Sequence, residues 1–279
     1  MKNLIRIYYA GIKHIRLICL KFLFFKKISP PLLKIYLPSI TNFEQSNRHI
    51  EFSLIHSIEN SICPSEYLVD IVSKASKIAI DCQLPLVEKR FHEGYKSVEI
   101  SSLIETNFSP STWPGEHYRL LAAIVRALDA KNVVEIGTFW GMGTLSLCEG
   151  GATSIITYDI KDWHSFPTTL LRDSDFEGGT IKQFIGDLQE ESFFQSQKKN
   201  IENCDLIFMD AAKDSIMEKK FLSQFSRCTF KPGAILIIDD IKLWNMLQIW
   251  QDIKLPKIDI SGLGHYTGTG LVELSPIKS

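Results

Sequence analysis

The sequence predicts an α/β fold with a mostly parallel sheet, and two observations indicate it. Short apolar runs recur in the second half of the chain, over residues 133 to 136, 153 to 158, 181 to 185, 205 to 209 and 234 to 238, and the last two are almost wholly apolar. Such runs are typical of strands covered on both faces. The first run leads into a glycine-containing turn, and the apolar Leu145 and Leu147 that follow predict a helix.

The turn after the first predicted strand is the most specific motif in the chain. Residues 133 to 144 read Val-Val-Glu-Ile-Gly-Thr-Phe-Trp-Gly-Met-Gly-Thr. A dinucleotide-binding turn has a G-x-G-x-x-G pattern, whereas here Ser146 stands where the third glycine would fall. Glycines and a helix N-terminus let a ligand approach the main chain closely. The alternative is an ordinary strand-to-helix turn whose glycines serve packing alone.

Acidic residues follow the ends of the next four predicted strands. Asp159 comes 22 residues after Gly137, near the spacing of about 20 at which related sheets place an acid that binds a ribose. The other acids are Asp187, Asp210, Asp239 and Asp240. Because parallel strands end at one edge of a sheet, we expect these carboxylates to lie near a ligand. The alternative role for them is helix capping.

These motifs together resemble those of class I S-adenosylmethionine (SAM)-dependent methyltransferases. The resemblance is closest to the catechol and caffeoyl-CoA O-methyltransferases and related sugar O-methyltransferases, and it covers about residues 113 to 274. It implies a Rossmann-like, seven-stranded, mostly parallel sheet with an antiparallel final strand and helices on both faces. It also implies that SAM is bound by Glu135, Gly137, Thr138, Gly141, Gly143, Asp159, Asp187 and Asp210.

The same resemblance implies the catalytic groups. Asp210, Asp239 and Asp240 fall where the family binds a metal ion, although asparagine is common at the last position. Oxygen ligands of this kind suit Mg²⁺. Lys213 is predicted to act as a general base, which requires its pKa to fall from about 10.4, and the alternative is an exposed lysine. His265 is predicted to face the acceptor from a glycine-rich loop, and a plain hairpin connection is the alternative.

The predicted function is methyl transfer from SAM to a hydroxyl of a small-molecule or saccharide acceptor, assisted by Mg²⁺. Two alternatives remain open: an NAD-binding oxidoreductase and a noncatalytic SAM-binding module. The chain has no G-x-S-x-G nucleophile motif and no phosphate-binding G-x-x-x-x-G-K loop. Its six cysteines form no C-x-x-C pair, which is typical of reduced cysteines in a cytoplasmic protein.

Charge divides the chain into an arm and a body. Residues 1 to 38 contain eight Lys or Arg and no Asp or Glu, whereas the rest of the chain has 23 basic and 32 acidic residues. An acidic body disfavours nucleic-acid binding. Apolar residues in the arm recur at helical spacing, which predicts an amphipathic helix. This helix either lies on an anionic membrane surface at the inner face or packs on protein, including a second subunit of a homodimer.

The predicted organisation has three parts. Residues 1 to 39 form the basic arm, residues 40 to 112 a helical extension, and residues 113 to 279 the SAM-binding domain. Helices are expected over residues 65 to 82 and 116 to 128, where apolar residues recur every three or four positions.

Overall fold

A computed structural model gives the structure of the protein and describes residues 64 to 96, 117 to 264 and 267 to 275. The basic arm, the greater part of the predicted extension, and its predicted boundary at residue 113 lie outside the described residues. His265 and Tyr266 lie outside them as well. The predictions for these segments therefore stay predictions.

The described residues form a seven-stranded sheet, as predicted. The strands are β1 (Asn132–Ile136), β2 (Ser154–Asp159), β3 (Ile181–Ile185), β4 (Leu206–Met209), β5 (Ile235–Asp239), β6 (Lys257–Asp259) and β7 (Thr269–Glu273). Their order in the sheet is β3-β2-β1-β4-β5-β7-β6. The first five are parallel, and β7 runs antiparallel to both β5 and β6. The α/β, Rossmann-like fold with an antiparallel final strand is confirmed.

Helices connect these strands. They are α1 (Glu66–Asp81), α2 (Pro85–Lys96), α3 (His117–Leu128), α4 (Met142–Glu149), α5 (Asp173–Glu177), α6 (Glu191–Glu202), α7 (Ile216–Phe225) and α8 (Met246–Asp252). The first and third match the two predicted helices within a residue. Within the described ranges, no helix has the length and apolar character needed to cross a membrane.

The helices cover both faces of the sheet because neighbouring strand residues point to opposite sides. Val133 packs into a core with α1 and α3, whereas Val134 packs into a second core with α6, α7 and α8. The same alternation holds along β5, where Ile235 and Leu236 belong to different cores. The runs of β4 and β5 are almost continuously apolar because both faces of these two strands are buried.

Two long-range contacts attach α1 to the sheet. The Ser65 hydroxyl accepts a hydrogen bond from the Leu68 amide at 3.2 Å, which caps the helix, and itself donates to the Glu273 carboxylate at the end of β7. The Tyr67 hydroxyl donates to the Gly233 carbonyl at 2.9 Å. The helix thus shares the core of the sheet domain and is fixed to the end of the sheet opposite the carboxyl ends of the parallel strands.

Candidate active site

The candidate site lies where β1, β2, β4 and β5 end side by side. The glycine turn follows β1, Asp159 is the last residue of β2, Asp210 follows β4, and Asp239 is the last residue of β5. Since β1 lies between β2 and β4 in the sheet, the turn has Asp159 on one side and Asp210 on the other. This is the edge at which open α/β sheets bind ligands.

The glycines of the turn are required by the packing of the protein itself. A Cβ on Gly137, which has φ +105°, would lie 2.0 Å from the Asp210 carbonyl oxygen. A Cβ on Gly141, with φ +83°, would lie 2.3 Å from the Leu171 side chain. One on Gly143 would lie 2.3 Å from a carboxyl oxygen of Glu135. The turn is therefore pressed against three neighbouring segments, and its glycines serve packing whatever they bind.

Asp159 is tied to this turn. Its carboxylate accepts hydrogen bonds from the Phe139 amide at 2.9 Å and from the Lys161 amide at 3.0 Å. The side chain is partly exposed, and a carboxylate has about four acceptor positions, so room remains for a ligand hydroxyl. Phe139 has a positive φ of 44°, a conformation that non-glycine residues adopt at an energetic cost.

Thr138 and Glu135 lie beneath the turn, and both are buried. The Thr138 hydroxyl is 2.7 Å from the Thr157 hydroxyl and accepts a hydrogen bond from Gln183 at 3.0 Å. Glu135 accepts one from the Thr144 hydroxyl. Burial raises the pKa of Glu135 to about 8. Both side chains contact protein and support the turn, and their predicted contact with the cofactor stays a prediction.

Asp187 lies two residues after the end of β3, the strand that pairs with β2 and its last residue Asp159. The Gly186 amide donates to the Asp159 carbonyl at 2.9 Å, which joins the two strand ends. The Asp187 carboxylate accepts from the Gln189 amide at 2.8 Å. The following helix begins at Glu191 with Glu190 as its capping residue, so Asp187 does not hold the N-cap position that the alternative role would require.

The carboxylates after β4 and β5 surround one lysine. The buried Lys213 ammonium forms ion pairs with Asp210, with Asp240 at 3.2 Å and with Asp239 at 3.6 Å. Burial lowers the pKa of Lys213, but the three carboxylates together outweigh burial and hold that pKa well above its ordinary value. In this arrangement Lys213 is a cation, and the predicted role as a base needs a further influence that lowers its pKa. Lys213 is buried and is therefore not the exposed lysine that was the predicted alternative.

Asp210 and its loop are shaped by the same cluster. Burial raises the pKa of Asp210 to about 6, although the Lys213 ammonium opposes the rise.

The loop that carries Lys213 has a strained backbone. Lys213 and Ser215 have positive φ angles of 60° and 67°. Their amides both donate to the buried Glu218 carboxylate at 2.8 Å. Glu218, which the sequence motifs did not indicate, thereby holds the strained loop that presents Lys213.

Asp240 starts a turn and caps no helix. It has φ +57°, and the residues after it form turns until α8 begins at Met246. The helix after β5 therefore begins six residues beyond Asp240, too far along the chain for the Asp240 side chain to cap it.

His117 is a site residue that the motifs did not indicate. It is the first residue of α3, it is buried, and its Nδ1 lies 3.5 Å from an Asp239 carboxylate oxygen. One ligand atom each from His117, Asp210 and Asp239 lie within 4.8 Å of one another. No spacing in the sequence marks His117, because α3 brings it to β5 from a distant part of the chain.

Large apolar side chains surround this edge of the sheet. They are exposed by 52 to 70% and lie at the strand ends or in the segments that follow the five parallel strands: Ile185, Ile160, Phe139, Ile216 and Trp244 in sheet order. We name them the apolar rim. Phe139 also contacts aromatic neighbours, with its ring stacked on Trp140 at 4.7 Å between centroids. Exposed apolar side chains beside a few polar groups offer the kind of contact surface that small-molecule sites use.

Comparisons with known proteins found similarity only to solved structures. No family model and no curated protein sequence matches the chain. A methyltransferase from Podospora anserina, bound to S-adenosylhomocysteine (SAH), is 15% identical and aligns over 79% of this chain and 100% of its own, with a TM-score of 0.48. An O-methyltransferase from Bacillus cereus in complex with SAH is 18% identical, over 74% and 97% of the two chains, with a TM-score of 0.45.

A third similar structure is an O-methyltransferase from Streptomyces achromogenes involved in tomaymycin synthesis, in complex with SAM. It is 17% identical and aligns over 81% of this chain and 95% of its own, with a TM-score of 0.42. These identities and scores are low, so the function has to follow from the residues of the site.

Proposed function

We propose that this protein is a SAM-dependent methyltransferase that methylates a hydroxyl oxygen of a small-molecule or saccharide acceptor. The observation that carries the proposal is the direct contact between the glycine turn and the carboxylate cluster, through Gly137 and Asp210. A methyl transferase must hold a donor and an acceptor in line within a short distance. A cofactor subsite and a polar acceptor subsite that share one backbone contact meet this requirement.

The cofactor subsite consists of the turn and the acids beside it. Gly137, Gly141 and Gly143 bring the main chain close to a ligand, Asp159 accepts from the ribose hydroxyls, and Asp187 meets the adenine amino group. When bound, SAM supplies a methyl group that is already activated on a sulfonium. The protein's own task is then to orient the acceptor oxygen and to remove its proton.

The acceptor subsite is the carboxylate cluster. Asp210, Asp239 and Asp240 would hold a divalent cation, and their oxygen donors fit Mg²⁺. Such a cation would supply positive charge that lowers the pKa of an acceptor hydroxyl and of the Lys213 ammonium. Lys213 lies between the three carboxylates, and in its neutral form it would accept the proton of the acceptor hydroxyl at Nζ. We propose Lys213 and His265 as the groups that take part in proton removal.

Calorimetry tests the cofactor first. We expect SAH to bind the full chain and NAD to show no binding at about a hundredfold higher concentration. Asp159→Ala should weaken SAH binding by about 10- to 100-fold, the effect of losing hydrogen bonds to a charged acceptor. Asp162→Ala is the matched control, since Asp162 lies three residues away and bonds its own neighbour His164; its SAH affinity should equal that of the wild type.

The outcomes separate the alternatives. Binding of NAD but not SAH would overturn the proposal in favour of an oxidoreductase. Equal SAH binding by wild type and Asp159→Ala would remove Asp159 from the cofactor subsite. If SAH binds, transfer of label from methyl-labelled SAM to a panel of phenols, sugars and lipid-linked saccharides tests turnover. No transfer to any member of a broad panel would favour a noncatalytic SAM-binding module.

A further inference from the structure

We propose that His117, Asp210 and Asp239 together form a mixed nitrogen and oxygen site for a divalent transition metal ion. The proposal rests on the proposed function, whose cation it places, but it changes the ligand set and the metal. His117 is the reason: three carboxylates alone would suit Mg²⁺, whereas an imidazole ligand suits Mn²⁺, Co²⁺ or Zn²⁺.

The spacing of the ligand atoms supports a shared metal. Metal bonds to imidazole nitrogen and carboxylate oxygen are about 2.0 to 2.2 Å long, so two tetrahedral ligand atoms on one ion lie about 3.4 Å apart. His117 Nδ1 and the nearer Asp239 oxygen are 3.5 Å apart. All three ligand atoms lie within 4.8 Å of one another, so the longest of the three distances has to shorten by up to about 1.4 Å for the set to bind one tetrahedral ion.

The charge of the cluster favours a cation. Lys213 contacts three carboxylates, so its single positive charge faces three negative ones. Buried carboxylates are stable when paired or bound to a metal. A divalent ion would bring these four side chains to neutrality. Asp240 does not belong to the converging set, and its contact of 3.2 Å leaves Lys213 a partner while Asp210 and Asp239 hold the metal.

The position of the set on the fold makes it rigid. His117 begins α3, which packs in the core with α1, while Asp239 ends β5, a buried strand inside the sheet. The His117 ring lies 4.8 Å from the Tyr118 ring and 5.6 Å from the Phe208 ring, between centroids. Ligands on rigid elements with packed rings keep a site preorganised.

Metal titration of the full chain tests the inference. We expect one Zn²⁺ or Co²⁺ per chain, bound at least about 100-fold more tightly than Mg²⁺. His117→Gln should weaken Zn²⁺ and Co²⁺ binding by at least about 10-fold and change Mg²⁺ binding little. His164→Gln is the matched control, because His164 is a surface histidine that also contacts two carboxylates, Asp162 and Asp173. Its metal affinity at the tight site should be that of the wild type.

A spectroscopic readout on the wild type covers the case in which His117→Gln does not fold. Electron spin echo modulation of bound Mn²⁺ should show an imidazole nitrogen. The inference is overturned if no nitrogen appears, if His164→Gln removes the tight site, or if no transition metal binds at millimolar concentration. SAH calorimetry in the presence of a chelator keeps the two proposals apart. SAH binding without metal binding would refute this inference alone, and metal binding without SAH binding would refute the proposed function alone.

Discussion

Gly137 and the Asp210 carbonyl oxygen approach so closely that a Cβ on the glycine would lie 2.0 Å from that oxygen. Gly137→Ala should therefore displace either the glycine turn or the loop after β4, with a loss of about 2 to 4 kcal/mol in the free energy of unfolding and weaker SAH binding. Chemical denaturation and calorimetry measure the two effects.

Gly151 offers the matched control for that substitution. Its φ is +101°, against +105° for Gly137, but a Cβ there would meet no atom within 4 Å. Gly151→Ala should cost only about 1 kcal/mol, the strain of a left-handed alanine. Equal losses for the two variants would show that the backbone angle, and not the contact with Asp210, sets the need for glycine.

Glu135 should make stability depend on pH. Its folded pKa, about 8, is above the ordinary value of 4.5, so the folded protein binds a proton that the unfolded chain releases. The stabilisation is complete below pH 4.5 and is lost as pH rises toward 8, with a slope of at most about 1.4 kcal/mol per pH unit. Denaturation of Glu135→Gln, which removes the titration, should show a flatter profile over this window. Parallel profiles for the two proteins would contradict the expectation.

The buried ion pair between Arg90 and Asp175 should matter far more than its exposed neighbour. Arg90 donates to both Asp175 oxygens and to the Leu170 carbonyl, and both side chains are at most 10% exposed. Arg90→Ala leaves a buried carboxylate with less compensation and should cost about 3 to 5 kcal/mol. Arg172→Ala removes the exposed pair with Glu93 and should cost less than about 1 kcal/mol. Similar losses in thermal denaturation would refute this ranking.

Lys257 should be needed for stability although it starts a strand. Its side chain is fully buried, and its ammonium donates to the carbonyls of Trp250 and Ile253 at the end of α8. Lys257→Met keeps the apolar stem but leaves those carbonyls without their donor, at a cost of about 2 to 4 kcal/mol. The control Lys254→Met alters an exposed lysine nearby and should be nearly neutral. A stable Lys257→Met protein would show that water replaces the ammonium.

The basic arm is expected to bind anionic vesicles. Residues 1 to 38 carry eight positive charges and no negative ones, and attraction of this kind weakens as salt is added. The full chain should co-sediment with phosphatidylserine vesicles, and a protein that begins at Ile40 should not. Equal sedimentation of both would instead favour packing of the arm on the body or on a second subunit.

The strands were predictable because their signal is local. β4 and β5 are buried along their whole length and correspond to the two almost wholly apolar runs. The bounds of β3, Ile181–Ile185, also match the predicted run. The antiparallel pairing of β6 with β7 agrees with the hairpin connection that was given as the alternative for the glycine-rich loop. The position of helix α2 within the predicted helical extension was not predicted, because its charged residues hide the apolar stripe; one of them, Arg90, is itself buried in an ion pair.

The chemistry of the site was less predictable, because it depends on contacts between distant segments. The sequence places Lys213 three residues after Asp210, but the direction of its pKa shift depends on Asp239 and Asp240 from another strand end. His117 has no motif of its own, and only the packing of α3 against β5 brings it to Asp239. Glu218 likewise acts through two backbone amides that the sequence does not identify.

The apolar rim has a consequence for handling the protein in solution. Five large apolar groups stand 52 to 70% exposed along one edge, and a surface of this kind promotes self-association when nothing covers it. A ligand seated at the edge would shield part of the rim. The solubility of the protein should therefore depend on whether SAH is bound. The protein without ligand is expected to precipitate at a lower concentration, and saturating SAH is expected to raise the solubility limit and reduce light scattering.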